Sequence, residues 1–448
     1  MRSFCAPQVL SLKGEINLLG DKSIAHRCVI VSSIALGKTT IENFPTSKDC
    51  LSTIAVFKKL GIKIKHKRLG ITHNSIITVL GKGLYGLKKP QGPILVGDSG
   101  TTLRLLLGVL AGQDFKAKLI AGRSLSRRPM LRVTQALRIM GAEINAKTHM
   151  THGARREEYP PITIRGGNLK PISYTLPVAS AQVKSAILLA GLYARGISRV
   201  IETISTRDHS ERILKLFKAE IQLKQNTIVI KGGKELVSPK RIYIPGDISS
   251  ASFFMVAAAI LPNSEILIKN VSLNPSRIGV IKVLKRMGAD IHVSSVKYQV
   301  SKFEPMGNIT VKSSELKGTI IKKEEIPSLI DELPILMVAA CFANGRTIFE
   351  GIEELRVKET DRIRSMSENL SKMGAHIEIL KGDKSENIII RGVKQLKGTK
   401  VRSFGDHRTA MSMVVAGLGA KGKTSIDDIV CINKSFPEFT RLLKTLIQ

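Results

Sequence analysis

Residues able to handle an anion gather at Gly20-Asp21-Lys22-Ser23-Ile24-Ala25-His26-Arg27. The small polar pair Gly20 and Asp21 closes a strand-like run and suits a helix cap, leaving the first N–H groups of the helix pointing outward toward negative charge. Lys22 and Ser23 fall in the first turn and Arg27 one turn beyond Ser23, so an ammonium, a hydroxyl and a guanidinium converge on one end. Ile24, Cys28, Val31 and Ala35 recur at helical spacing and predict the buried face. A capped surface helix with solvated charges fits the same residues, so this copy alone leaves both readings open.

The chain then repeats the arrangement. Comparable turns into helices rich in small residues stand at Gly97-Asp98, Ala179-Ser180, Gly246-Asp247, Ile330-Asp331 and Gly405-Asp406. Each predicted helix leads through a polar turn to a short strand, as at Gly37-Lys38-Thr39-Thr40-Ile41 and Gly345 to Phe349. A second helix follows and ends in Leu60-Gly61-Ile62, Met140-Gly141-Ala142, Phe217-Lys218-Ala219, Met287-Gly288-Ala289 or Met373-Gly374-Ala375, while the sixth copy is cut short near Leu443. A unit of roughly 70 to 85 residues is too long for a common solenoid, and six of them suit an α/β protein packed as two groups of three. Helix N-termini aligned within each group each favour a nearby anion by roughly 0.3 to 1 kcal/mol. Two such faces meeting across a cleft would take multiply charged anions. Arg104, Lys184 and Arg408, just inside later helix starts, join Lys22 and Arg27 in that reading. Caps that merely close a repeat fold are the alternative.

Across 448 residues, 70 Lys and Arg stand against 36 Asp and Glu, a net charge of +34 that points to an anionic partner of some kind. The basic residues are spread along the chain, Trp is absent and aromatics are 4%, so no stacking platform, zinc finger or long basic tail is visible and the charge alone names no partner. Cys5, Cys28, Cys50, Cys341 and Cys431 are scattered without a C-x-x-C pair, which indicates neither a disulfide framework nor a zinc site and suits a reducing cytoplasm. His149 and His152 form H-x-x-H with no third ligand nearby and read as exposed. Met1 to Leu10 has no sustained apolar core and no later run approaches a membrane span, so an untargeted soluble protein is expected.

Further segments carry chemistry. In Asp98-Ser99-Gly100-Thr101-Thr102-Leu103-Arg104 the backbone at Gly100 can approach a ligand closely. Arg127-Arg128-Pro129 sets guanidinium groups before a helix-starting proline. Ser180-Ala181-Gln182-Val183-Lys184 and Arg207-Asp208-His209-Ser210-Glu211 are dense in hydrogen-bonding groups. Arg356 to Arg362 puts Lys358 and Arg362 on one helical face with Glu359 beside them, an arrangement that a salt-bridged solvent face also explains. Asp331 and Glu332 open a helix, where Asp331 also fits a cap.

With Gly405-Asp406-His407-Arg408 and Ser435-Phe436-Pro437, these segments resemble, in order and over essentially the whole chain, the signature segments of the EPSP synthase (3-phosphoshikimate 1-carboxyvinyltransferase) family. Gly20 to Ser23, Ser180 to Lys184 and Arg207 to Glu211 resemble its class II branch, from whose N-x-T-R Asn274-Pro275-Ser276-Arg277 departs. The resemblance implies the two-domain α/β enolpyruvyl transferase fold, six βαβαββ-type repeats in two groups of three with helix N-termini facing an interdomain cleft. Residues 1–20 plus 247–448 would form domain I and residues 21–246 domain II. It implies transfer of the enolpyruvyl group of phosphoenolpyruvate to the 5-hydroxyl of shikimate 3-phosphate with release of phosphate, by a cytoplasmic monomer with no metal, no organic cofactor, no nucleic acid and no membrane partner.

Carried over from the family, Lys22, Ser23, Arg27, Ser180, Ala181, Gln182, Arg207, Asp331 and Lys358 match the shikimate 3-phosphate side. Lys22, Gly100, Arg128, Gln182, Arg362, Arg408 and Lys434 match the phosphoenolpyruvate side. Asp331 and Glu359 are the implied proton carriers, and Lys22 would stabilise developing charge. Asp98, where many members have Asn, is expected to cap its helix rather than touch phosphate. Glyphosate enters with the family as a competitor of phosphoenolpyruvate. Leu105 and the class II segments lean toward tolerance and Gly100 toward inhibition, Gly100 weighing more because it acts by contact. The sister transferase acting on UDP-N-acetylglucosamine carries a cysteine in the loop that here reads Gly122 to Pro129 without one. A basic nucleic-acid-binding protein would account for the charge but not for the six ordered segments.

Overall fold

In the computed structural model, which describes residues 3–68, 74–151, 155–295, 303–382 and 385–448, one sheet pattern recurs. Strand Ile94–Leu95 runs parallel to Lys116–Ile120, which pairs antiparallel with Arg155–Arg165, itself antiparallel to Glu143–Thr151. Ser173–Thr175, Ile197–Ile201, Thr227–Lys231 and Glu220–Lys224 repeat this order, as do Ile320–Ile321, Arg346–Phe349, Glu386–Arg391 and His376–Lys381. Parallel neighbours need a long crossover, and the helix between them supplies it. The helices that hold this place in the six repeats are α1 (Lys22–Ser33), α2 (Gly100–Leu110), α3 (Ala181–Gly191), α4 (Ile248–Ile260), α5 (Leu333–Cys341) and α6 (His407–Leu418), of which α2, α3, α5 and α6 connect such parallel neighbours.

The chain exchanges strands where it passes from one group of repeats to the other. Lys13–Asn17 precedes α1 in sequence yet pairs with Glu265–Ser272, whereas Arg241–Tyr243 precedes α4 and pairs with Ala35–Pro45. The sixth copy lacks its closing strands, and Phe4–Ala6 fills the position by pairing antiparallel with Thr424–Ile426. The contacts accordingly divide the chain into two units: Met1–Asp21 with Pro245–Gln299 and Glu304–Gln448, and Lys22–Ile244 with Val300–Phe303.

Each unit has its own core. In the Lys22–Ile244 unit, Ile24, Cys28 and Val31 of α1 are buried as their spacing predicts, while Ala35 already belongs to the following strand. Gly108 of α2 lies against the Ala186 backbone of α3, an approach that a methyl group would block. In the other unit α4, α5 and α6 are apolar nearly all round and almost wholly buried, so they form the centre rather than a flank. Phe254 meets Phe436 and Phe439 there at ring separations of 6.0 and 5.7 Å.

In the first five repeats the second helix stops on a left-handed residue. Gly61, Gly141, Gly288 and Gly374 have φ of 87°, 110°, 90° and 94°, but the third repeat places Lys218 there at φ 67°. The Lys218 N–H still donates to the Lys215 carbonyl and the Ala219 N–H to that of Leu214, so the stop is kept with a side chain that disfavours it. Lys218→Gly should therefore raise stability by about 1 kcal/mol in urea unfolding, and Gly374→Ala should lower it by about 1 kcal/mol although nothing lies within 4 Å of the added methyl. A neutral result for both would remove backbone conformation as the reason for glycine at these stops.

Candidate active site

In the Lys22–Ile244 unit the polar groups gather where α1, α2 and α3 begin. Lys22 donates to Asp49 Oδ2 at 3.1 Å. Arg27 is buried, with Nε donating to Ser210 Oγ at 2.7 Å and its terminal nitrogens to Ser185 Oγ at 2.8 Å and the Ser23 carbonyl at 3.0 Å. One guanidinium thus ties α1 to α3 and to the helix His209–Leu216. Ser99 and Ser180 cap α2 and α3, with Ala181 the first residue of α3. Gln182 bridges the two helices, donating to Thr101 Oγ1 at 3.0 Å and accepting from Arg104 at 2.7 Å. Gly100 sits under two arginines, since a Cβ built on it would stand 2.9 Å from a terminal nitrogen of both Arg104 and Arg128.

Two expectations for this unit change. Asp98 is not the cap of α2; Ser99 is, and Asp98 Oδ1 instead accepts from the N–H groups of Ser124 and Leu125 at 2.9 and 3.1 Å. It thereby pins the loop that carries Arg128. Lys184 does not present its charge to a ligand: its side chain is 1% exposed, 3.0 Å from Glu202 and 2.6 Å from Glu211. Burial lifts the Glu211 carboxyl above its usual range, and the Lys184 ammonium pulls it part of the way back. Glu202 also accepts from the backbone and hydroxyl of Thr206, which steadies the half-buried Arg207 beside it. Arg104, near the start of α2, donates to Gln182 and to the Pro129 carbonyl.

In the other unit a carboxylate and guanidinium cluster forms at the starts of α4, α5 and α6. Arg362 donates to Asp406 Oδ2 at 2.8 Å and to Glu359 Oε2 at 2.6 Å, and lies 3.5 Å from Asp331 Oδ1. Arg408 donates to the Asp331 carbonyl at 2.6 Å and to Ser249 Oγ at 2.9 Å, with a terminal nitrogen 3.7 Å from Asp331 Oδ2. Arg277 reaches the same carboxylate at 3.9 Å and Glu332 at 3.5 Å. Asp331 is not a helix cap, for α5 starts after Glu332, whose side chain accepts from Ser249. Burial alone would ease the proton off Arg277 and Arg362, but Glu332, Asp21, Asp247 and Asp331 around the first and Asp406, Glu359 and Asp331 around the second hold it more tightly than usual.

Lys358 and Arg362 do not share a helical face. A 3₁₀ turn ends at Val357, Asp361 caps the next helix, and Arg362 is that helix's first residue, leaving Lys358 in the connection 3.5 Å from Glu354. Lys434 donates to the Gly405 carbonyl at 3.3 Å, just before α6. The sequence reading missed Arg277, Glu332 and Asp406 as members of this cluster. A signal for Arg277 was present in Asn274-Pro275-Ser276-Arg277, where Asn274 Oδ1 accepts from both the N–H and the hydroxyl of Ser276 and so fixes the turn that aims Arg277. His149 is exposed and His152 lies outside the described residues, among which no cluster of His, Cys, Asp or Glu could hold a metal ion. No helix of the described residues is long and apolar enough to cross a membrane.

A repeated α/β chain that sets guanidinium groups, hydroxyls and capped amides at its helix starts is of the class that handles small polyanions. The family model described as EPSP synthase (3-phosphoshikimate 1-carboxyvinyltransferase) matches residues 8–443. The 3-phosphoshikimate 1-carboxyvinyltransferase of Desulforamulus reducens is 46% identical over 439 residues, 98% of each chain, and that of Bacillus cereus 45% identical over 435 residues, 97% of each. A solved EPSP synthase from Acinetobacter baumannii superposes with a TM-score of 0.83 at 39% identity, covering 99% of this chain and 98% of that one. The chain belongs to the EPSP synthase family.

Because an amide oxygen can accept as a carboxylate does, Asp98→Asn should leave the Ser124 and Leu125 amides slow to exchange with solvent hydrogen, whereas Asp98→Ala should speed both by about tenfold or more. Equal protection in the alanine variant would show that Asp98 does not hold the loop.

Proposed function

We propose that this chain transfers the enolpyruvyl group of phosphoenolpyruvate to the 5-hydroxyl of shikimate 3-phosphate, releasing inorganic phosphate, as its family membership supports. The observation that carries the reading is the Asp331 carboxylate ringed by Arg277, Arg362 and Arg408 with Glu359 on the far side of Arg362. In this reading Lys22, Ser23, Arg27, Ser180, Ala181, Gln182, Arg207, Asp331 and Lys358 hold shikimate 3-phosphate. Lys22, Gly100, Arg128, Gln182, Arg362, Arg408 and Lys434 hold phosphoenolpyruvate. The two units act as the domains, each contributing part of this set. The enzyme works as a cytoplasmic monomer, where its five free cysteines, four of them buried, stay reduced.

Chemically, the 5-oxygen attacks C2 of phosphoenolpyruvate, its proton passes to a carboxylate, and C3 takes a proton to become a methyl group. Elimination then returns a C3 proton to the protein as the phosphate leaves. Asp331 and Glu359 supply the two proton carriers and Lys22 steadies the developing charge. Addition and elimination of this kind lie within the reach of carboxylates.

Purified chain should release phosphate only when both substrates are present, and release from phosphoenolpyruvate alone would overturn the reading. Asp331→Asn should keep shikimate 3-phosphate binding within about tenfold yet lose ~10² or more in turnover, and Glu359→Gln should likewise depress turnover. Near-normal turnover would remove the substituted residue from the proton path. Glyphosate should compete with phosphoenolpyruvate when shikimate 3-phosphate is bound. Gly100→Ala, whose methyl displaces the Arg104 and Arg128 guanidinium ends, should weaken the inhibitor at least about tenfold and more than it raises the KM of the shorter substrate. Equal inhibition of parent and variant would rule out contact at Gly100.

A further inference from the structure

Three guanidinium groups face the Asp331 carboxylate, and they are not equivalent. Arg362 and Arg408 stand at helix starts and, in the reading above, bind phosphoenolpyruvate. Arg277 comes from the turn before the helix Gly279–Arg286, is 2% exposed, and faces protein carboxylates: Asp331 Oδ2 at 3.9 Å, Glu332 Oε1 at 3.5 Å and Asp247 Oδ1 at 3.9 Å. Its Nε and NH1 make no hydrogen bond among the described residues, so charge rather than hydrogen bonding holds it at this spacing. Its direction is set by the Asn274 turn, which is itself anchored by a 2.7 Å bond from Asn274 Nδ2 to Glu304.

When a substrate anion lies on Arg362 and Arg408, their field at Asp331 is offset just when the base has to be ionised. Arg277 has no substrate to bind in that reading, so its effect on Asp331 is not offset. We propose that Arg277 is a positioning residue for Asp331, a guanidinium that keeps this carboxylate ionised and in line while Arg362 and Arg408 are engaged with substrate. The inference rests on the functional reading for the roles of Arg362 and Arg408. The groups that set the charge of Asp331 are Arg277, Arg362 and Arg408 on the positive side. On the negative side are its neighbour Glu332 and, across those guanidiniums, Asp247, Glu359, Asp406 and Asp21.

The test uses the full chain with Arg277→Gln and Arg277→Lys, following the Asp331 carboxyl by ¹³C NMR titration, its signal assigned by its loss in Asp331→Asn. Arg277→Gln removes a cation, so the titration midpoint of Asp331 should rise by about one pH unit. The acid limb of kcat/KM should move up with it while both KM values stay within about threefold. Arg277→Lys keeps the charge but not the planar fork that faces Asp331, Glu332 and Asp247 together, so the midpoint should stay near that of the parent and turnover should fall about tenfold. A folded Gln variant with an unmoved midpoint would overturn the proposal. If that variant does not fold, a Lys variant equal to the parent in turnover would do the same. Failure of the parent to release phosphate would instead sink the functional reading, and the carboxyl titration would still decide whether Arg277 sets the charge of Asp331.

Discussion

A guanidinium taken out of water has to be met by negative or polar partners, and the unit that carries α4, α5 and α6 meets that requirement with carboxylates. Arg277 and Arg362 are 2% and 1% exposed, and each is surrounded by acids drawn from several repeats. Asp247 caps α4, Glu332 precedes α5 and Asp406 caps α6, so the same side chains that end three buried helices also neutralise the arginines between them. The chain has 36 acidic residues against 70 basic ones, and placing this many acids at one point makes a tightly held cluster in which carboxylates outnumber arginines, on an otherwise basic protein.

The other unit meets the same need with hydroxyls. Arg27 is about as deeply placed as Arg408, and it donates to the neutral oxygens of Ser185, Ser210 and the Ser23 carbonyl. A neutral oxygen that accepts from a guanidinium takes up less of its charge than a carboxylate does. Glu202 and Glu211 of the same unit pair with Lys184. In the proposed reaction this contrast divides the work: the serine-held arginine suits binding of a phosphorylated substrate, and the carboxylate-rich cluster suits proton transfer.

What could be read from the sequence follows from how local each signal is. The helix starts were legible because a capping Ser or Asp acts within three residues, and the helix stops because a left-handed residue acts alone. Completion of the sixth repeat by Phe4–Ala6 was not, since three residues pairing with the far end of the chain leave no periodic trace. Lys184 was misread because helical spacing places a residue on a face without saying what that face meets. Lys358 was misread because the α-helical period was extended through a 3₁₀ turn that Asp361 separates from the helix. Arg277 escaped notice because its partners are Asp331 and Glu332, a repeat away, and only the Asn274 turn beside it was local.

The charge balance also limits which groups can move protons in the proposed mechanism. The carboxylates around Arg277 and Arg362 hold their protons more firmly than in a free arginine, so neither guanidinium can serve as an acid near neutral pH. Their part is to stay charged. Proton transfer then falls to groups that are less enclosed, and Asp331 and Glu359, each with a side chain 23% exposed, are more accessible than Glu332 and Asp406 at 0%. The cluster therefore sorts its own acids. The fully buried pair secures helices and arginines, and in the proposed mechanism the partly open pair keeps access to a substrate proton.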